Sequence, residues 1–573
     1  MKEITHFICL LTLAFSYSQT ELIQILNNNS SFIIEGKVIS SSSNFRPNGD
    51  IVTNYIVEKT QNLKGSAQAN ITVQVVGGQV DGHFQIVTHQ VKLKTGDKGL
   101  FFLKRNSSST NYFFKGEDYF MNYARLSKQE IDELNKSILN LYPDFEVISH
   151  SKNTTRAATN LAEITSVLPL EITAGTGSDL TISGTGFGAE KGTVGFLNGN
   201  DGGASYFFTY HPIKSWTDTE ILVTVPELAG TGRIKIKLPT TPETSIMAPF
   251  GTEITIPYAR FTITTTNYGD TLTIPLRHIG EMPNGVNPPT SAHLTDGAYH
   301  FKMADSFYSN TNARSIFLDF LEDWSCKTGI NFVNAGAKTL EDEFSGETLN
   351  EIRFLDFESL NYGGAASTSL RGIYTCPGSS SNPDPDTVTA IITQINFQYD
   401  SEINWGYNNV ASNKFDFSFT TAHEIGHAVL FGHVIENSNL MHYAGGYGDR
   451  NLQEVPEPYV TAGVVGVNEA LSPYQCGAPM TASSCFTLSL ENREIKNAIS
   501  IRPIGSNIEI KTNSIAMIRQ IYVYDISGRI VNKAQFKTLP SRYNINLDSN
   551  NTQIYMVKVR LSNDLVHVAK VLL

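Results

Sequence analysis

Cysteine is scarce, with five in 573 residues, and Cys9 falls inside the N-terminal apolar run that an export signal would carry away. Cys326, Cys376, Cys476 and Cys485 remain, and none lies beside a basic or histidine-rich motif, which excludes a reactive thiolate as the working nucleophile. Four cysteines in an exported chain allow three pairings, of which Cys326 with Cys376 and Cys476 with Cys485 is the expected one. Charge is also sparse: charged residues are 17% of the chain and the net charge is −12, too mild and of the wrong sign for a nucleic-acid partner. Long apolar runs are missing. The run from Phe7 to Phe15 is too short to span a bilayer, and no later stretch resembles a membrane helix. With Lys2 before the run and the small residues Ser16 and Ser18 after it, residues 1–18 are expected to be a secretory signal peptide.

What the chain has in quantity is glycine, threonine, serine and asparagine, a mixture suited to β-rich extracellular modules. Its length allows several domains of ordinary size. Residues 19–150 begin with short alternating runs such as Phe32–Val38 and Ile71–Val76, broken by glycine and asparagine, which predict a β-sandwich or barrel. Ile131, Leu134, Ile138 and Leu141 then fall at helical spacing and predict one helix over residues 127–141. His83 and His89 have no ligand-like spacing and are expected to be ordinary strand or loop residues. A polar linker around residues 150–159 follows. The segments Leu63–Gly65, Gly77–Gly82 and Gly96–Leu103 resemble an accessory β domain of large secreted bacterial proteins, a resemblance that carries no function with it.

Residues 160–265 hold Leu180–Gly188, Val194–Phe196, Ser215–Ile221 and Val225–Pro226, and this segment resembles an IPT/TIG domain, which implies an immunoglobulin-like sandwich with Trp216 in its core. Its GTGFG run has no following lysine or helix, so nucleotide binding is discounted.

The stretch that carries chemistry is Thr420–Tyr443. On a helix at ~100° per residue, His423 and His427 stand one turn apart on one face with Glu424 beside them, while Ala422, Ile425 and Val429 face the core. Two neutral imidazoles suit zinc, and a catalytic zinc takes three protein ligands and leaves one position open. His433 is the natural third ligand. The competing readings are a chance HExxH and a capping box formed by Thr421 and Glu424.

His423–Glu424–x–x–His427 with His433, followed by Leu440–Met441–His442–Tyr443, resembles the zinc site and Met-turn of the metzincin endopeptidases. That resemblance implies an α+β zinc peptidase domain over residues 275–480, flanked by β-sandwich modules. It implies one catalytic Zn2+ held by His423, His427 and His433, with Glu424 as general base, Tyr443 donating to the oxyanion and Met441 packed below the metal. A structural Ca2+ finds no support in the sequence. One departure matters: the family has glycine where this chain has Leu430, so the turn that swings His433 round is expected at Gly432. In the same domain Ile316, Phe317, Phe320, Leu321 and Trp324 predict a helix, Ile352–Phe357 and Ile391–Phe397 predict strands, and Gly363–Ser367 sits where the resemblance implies the edge strand that pairs with substrate, with a plain glycine-rich loop as the alternative. Gly463–Leu471 predicts a closing helix. Within it, Asn468–Ser472 resembles the motif by which thermolysin-like enzymes supply a glutamate ligand, which makes Glu469 a rival to His433.

Residues 486–573, with Ile521–Val531, Tyr543–Leu547 and Ile554–Val559, resemble the C-terminal sorting domain of the type IX secretion system, with Ile501–Ile504 in place of the usual opening. The expectation is a secreted or surface-held zinc endopeptidase of a Gram-negative bacterium, with a protein or peptide substrate, the secretion machinery as partner and no nucleic acid. The alternative is a surface adhesion or binding protein with a decayed protease site.

Overall fold

The computed structural model describes residues 19–573, apart from 48, 106–109, 116–118, 124–127, 149–161, 210–212, 240–243, 266–271, 282–293, 338–349, 358–363, 374–389, 408, 451, 453, 472–477, 484–498, 505–506, 513–516, 525–529, 537–539, 548–553, 562–565 and 573. The expected signal peptide therefore lies outside the described residues, as do Cys376, Cys476 and Cys485; Cys326 is disulfide-bonded. Architecture is multidomain and mostly β, and it divides into two compact units, residues 1–482 and 483–573.

Of the sandwich or barrel expected of the first domain, the structure favours the barrel: bridges of Val73 with Tyr112 and of Lys104 with Phe113 link the outer strand of its sheet back to the end of Lys98–Leu103. Alternation in Phe32–Phe45, Ile51–Lys64, Asn70–Val76, Lys98–Leu103 and Phe120–Asn122 builds one antiparallel sheet. One face of it, with Ile33, Leu100 and Phe102, packs with Ile23 and Leu26 of the helix Gln19–Asn29 and with Leu134 and Ile138 of the helix Lys128–Leu141. The second helix was legible in its spacing. The first was not, because its 11 residues follow directly on the expected signal peptide in sequence and carry only a short stripe.

Residues 163–247 fold as two four-stranded sheets around a core that includes Leu180, Phe196, Trp216 and Ile236, a β-sandwich. Beyond its last strand, Thr244–Met247, the chain reaches the next domain at Ala259 and Arg260, which pair with Gly432 and Phe431.

The third domain is built on a mixed ten-stranded sheet. Asn350–Leu355 runs parallel to Ala390–Asp400, and Ala366–Ile373 runs antiparallel to the other side of Ala390–Asp400. The expected strands at 352–357 and 391–397 are thus present, the first shifted to 350–355 and the second longer at both ends. The helix Thr311–Thr328 presents Phe317, Phe320, Leu321 and Trp324 to the core, and the helix Phe417–Ala428 packs against it through Ala422 and Ile425. Two further strands of this sheet come from the first domain. Gly78–Val80 and His83–Val87 form a hairpin, and the latter pairs antiparallel with Ala366–Ile373.

The C-terminal unit is a second sandwich of a three-stranded and a four-stranded sheet, closed by Ile508, Ile510, Ile521, Val523, Val557 and Val559.

Candidate metal centre

The helix Phe417–Ala428 starts at Asp416, whose carboxylate accepts from Ser418 N at 2.9 Å and Phe419 N at 3.1 Å. This replaces the capping box at Thr421: that residue lies mid-helix, where its hydroxyl meets Tyr399 Oη. Inside the helix Gly426 is required by a close approach, because a Cβ there would lie 2.5 Å from Met441 Sδ. Met441 is fully buried and packs directly beneath the turn that separates His423 from His427.

The helix breaks at Leu430, not at Gly432. Leu430 adopts φ +75°, and its N–H still reaches His427 O at 2.9 Å. The expectation that Gly432 makes the turn is corrected. Gly432 is instead a strand residue that pairs with Ala259, while the Leu430 carbonyl accepts from Phe261 N at 3.0 Å and its side chain is buried in the core. Fixed main-chain partners and apolar burial outweigh the ~1–2 kcal/mol that a left-handed conformation costs a residue with a Cβ.

After that turn, His433 joins His423 and His427. Each ring is aimed by a hydrogen bond on its Nδ1: His423 to Leu440 O at 2.7 Å, His427 to Phe431 O at 2.7 Å, and His433 to Asn200 Oδ1 at 3.1 Å. Those bonds leave Nε2 as the ligand atom in each ring. The Nε2 atoms of His423 and His427 are buried with no hydrogen-bond partner among the described residues, a costly arrangement that a bound cation relieves. Burial holds the His423 imidazole down to about 4 and keeps His427 and His433 well below the ordinary histidine value, so all three present neutral, metal-binding rings at pH 7. This donor set fits zinc.

A fourth imidazole is present. His89, from the first domain, brings its ligand atom into the same group, all four lying within 4.8 Å of one another. Its ring centroid is 4.9 Å from that of His433 and 5.7 Å from those of His423 and His427. The expectation that His89 is an ordinary strand or loop residue is overturned. His83 sits in the hairpin strand, as expected of it.

Glu424 is buried beside the cluster. Oε1 lies 3.2 Å from His89 Nε2, and Oε2 accepts from Thr368 Oγ1 at 2.6 Å and Thr88 Oγ1 at 3.4 Å. Burial alone raises a carboxyl, but the hydrogen bond from His89 and the charge of the surrounding imidazoles outweigh it and lower this one to about 2. Tyr443 packs its ring against Gly202 of the preceding sandwich and lies 4.7 Å from the His442 ring. Glu469, the rival ligand, instead pairs with Arg260 at 3.5 Å and is outside the cluster. Ala366–Ile373, which begins within the glycine-rich stretch at 363–367, is the outermost strand that the third domain itself contributes on this side, but His83–Val87 of the first domain pairs along it, so it is not an edge in this structure.

Two functional residues escape sequence reasoning. Asn200 orients His433 from a loop 233 positions upstream, and Thr368 holds Glu424 from the neighbouring strand. Neither carries a spacing that ties it to the motif.

Comparison with known protein families places two of the modules. Residues 162–252 match the IPT/TIG domain, and residues 502–573 match the secretion system C-terminal sorting domain. No curated protein matches the chain. No helix among the described residues is long and apolar enough to cross a membrane. With a type IX sorting domain at its C-terminus, the chain is delivered to the exterior or the cell surface of a Gram-negative bacterium through that secretion machinery.

Proposed function

We propose that this protein is a zinc-dependent endopeptidase of the metzincin type, with residues 275–480 as its α+β catalytic domain. The observation that carries the proposal is the convergence of His423, His427 and His433 with a buried, ionised Glu424 beside them. Zinc held there would lower the pKa of a bound water to about 7 and polarise a scissile carbonyl. Glu424, fixed by Thr368, is placed to accept the proton of the attacking water and to return it to the leaving amine. With His83–Val87 withdrawn, Ala366–Ile373 would offer main-chain groups along which an extended peptide can lie, which favours a protein or peptide substrate over a small molecule. Tyr443 is kept as a candidate donor to the oxyanion. The other reading, a surface binding protein with a decayed protease site, draws on the IPT/TIG domain. Retention of every group the chemistry requires speaks against it.

Because His89 covers Glu424, the test belongs in a chain carrying His89→Ala. That chain should bind one zinc and hydrolyse a casein-type substrate. Adding Glu424→Ala should abolish hydrolysis and leave the zinc, since the base goes and the ligands stay. Hydrolysis unchanged by Glu424→Ala would refute the assignment.

A further inference from the structure

The first domain does more than lie next to the metal centre. Its hairpin strand His83–Val87 pairs with the edge strand in five consecutive positions, from Ser369 with Val87 to Ile373 with His83. These are the main-chain groups that an extended substrate would use, and the antiparallel pairing takes them all. Phe84 is 1% exposed and belongs to the core of the third domain, and a Cβ on the opposite Gly372 would strike its ring. Gln85 donates to Asp50 Oδ1 at 2.9 Å and to Ser369 Oγ at 2.8 Å, while Arg371 forms an ion pair with the same Asp50 across the junction. Past the strand, Thr88 N donates to Thr368 O at 3.1 Å, and Thr368 N donates to Thr88 Oγ1 at 2.9 Å. The chain then takes a left-handed step at His89, φ +59°, which directs the imidazole at the histidine cluster and Glu424.

We propose that residues 78–89 are a built-in inhibitor, with the strand blocking the substrate edge and His89 serving as the fourth ligand that closes the metal site. This rests on the peptidase reading above. Three imidazoles leave zinc a position for water; a fourth completes a tetrahedral set of the kind that structural sites have. The same ring also engages Glu424, so ligand position and proton acceptor are both occupied. No cysteine lies between Thr20 and Trp324, so a thiol cannot fill that role and an imidazole does. The intact chain is therefore latent; removing the His89 imidazole reopens the metal site in part, and full activity requires the first domain to leave, as cleavage after its last helix, Lys128–Leu141, would permit.

The test is cobalt substitution of the full chain, using acetohydroxamate as the probe for an open coordination position. Wild-type protein should give a visible spectrum that acetohydroxamate does not change. His89→Ala should give one that shifts on addition, and its casein hydrolysis should exceed that of wild type by at least tenfold. His89→Gln, which keeps a donor towards Glu424 but is a poor ligand, should shift as well and provides a second variant should alanine fold poorly. An equal response to acetohydroxamate in wild type and both variants overturns the latch while leaving the peptidase reading intact. Failure of all three to bind cobalt overturns both.

Discussion

Leu430 is the residue at which backbone and side chain pull in opposite directions, and two truncations separate them. The side chain is 1% exposed and the backbone sits at φ +75°. Leu430→Ala removes the buried isopropyl end of the side chain at a cost of about 2–5 kcal/mol and keeps a Cβ, hence the strain. Leu430→Gly loses the same packing but recovers about 1–2 kcal/mol of left-handed strain. Against that recovery stands about 0.4–1 kcal/mol for the freer unfolded chain. The glycine variant should therefore be the more stable of the two truncations by about 0.5–1 kcal/mol, although both fall below wild type. If the chain turned at Gly432 in solution, the sign would reverse, because residue 430 would have ordinary φ and glycine would only add unfolded-state entropy. The measurement is urea unfolding of metal-free protein, so that metal binding does not add to the apparent stability. It is followed by tryptophan fluorescence with Trp216→Phe to silence the IPT/TIG domain. Trp324 reports locally, since its Nε1 donates to Ala422 O at 3.1 Å and its ring lies 5.9 Å from that of Phe431. An alanine variant more stable than the glycine variant would refute the turn at Leu430.

Asn200→Ala should weaken zinc binding by about 10–100-fold, the usual effect of losing the partner that orients a histidine ligand, measured by competition with a chromogenic chelator. His433→Ala should lose zinc on dialysis against a mild chelator while Glu469→Ala keeps it; the reverse pattern would move the third ligand to Glu469. His278 is fully buried, and desolvation, helped by Arg260, lowers it to about 3 from the ordinary 6.5. The folded state then binds fewer protons than the unfolded one between those values, so stability falls as pH drops through that window, at up to roughly 1.4 kcal/mol per pH unit. Urea midpoints of wild type and His278→Asn between pH 7 and pH 4 should show a smaller loss in the variant. Deleting residues 486–573 should leave the first compact unit folded but retained inside the cell, and equal amounts of truncated and full-length protein in the medium would count against sorting by that domain.

The metal-binding helix could be read from spacing because its groups are local: His423, Glu424 and His427 need only the 3.6-residue period to share a face. The turn that follows is not local. Position 430 is decided by a hydrogen bond to Phe261 and by burial, which no window around the motif contains. The same holds for His89, whose partner Glu424 lies 335 residues away, and for Asn200. Propensity favoured a glycine at the turn and a plain strand residue at His89, and tertiary pairing decided otherwise in both places. The choice between sandwich and barrel in the first domain stayed open for a related reason. Alternation fixes which face of a strand is apolar, but whether a second sheet or a pair of helices covers that face depends on segments far along the chain.

The hydrogen bond that His433 Nδ1 gives to Asn200 Oδ1 makes the boundary between the two modules a poor place to cut. A spacer domain can be exchanged for another of equal length without loss, because nothing beyond its ends is asked of it. Here the sandwich sets the orientation of a candidate metal ligand in the next domain, and Gly202 gives the Tyr443 ring its seat. A chimera that grafts residues 275–480 onto a different sandwich would inherit all three histidines and still hold one of them loosely. The heritable unit of this site is the pair of domains, and exchange by recombination would have to move both together.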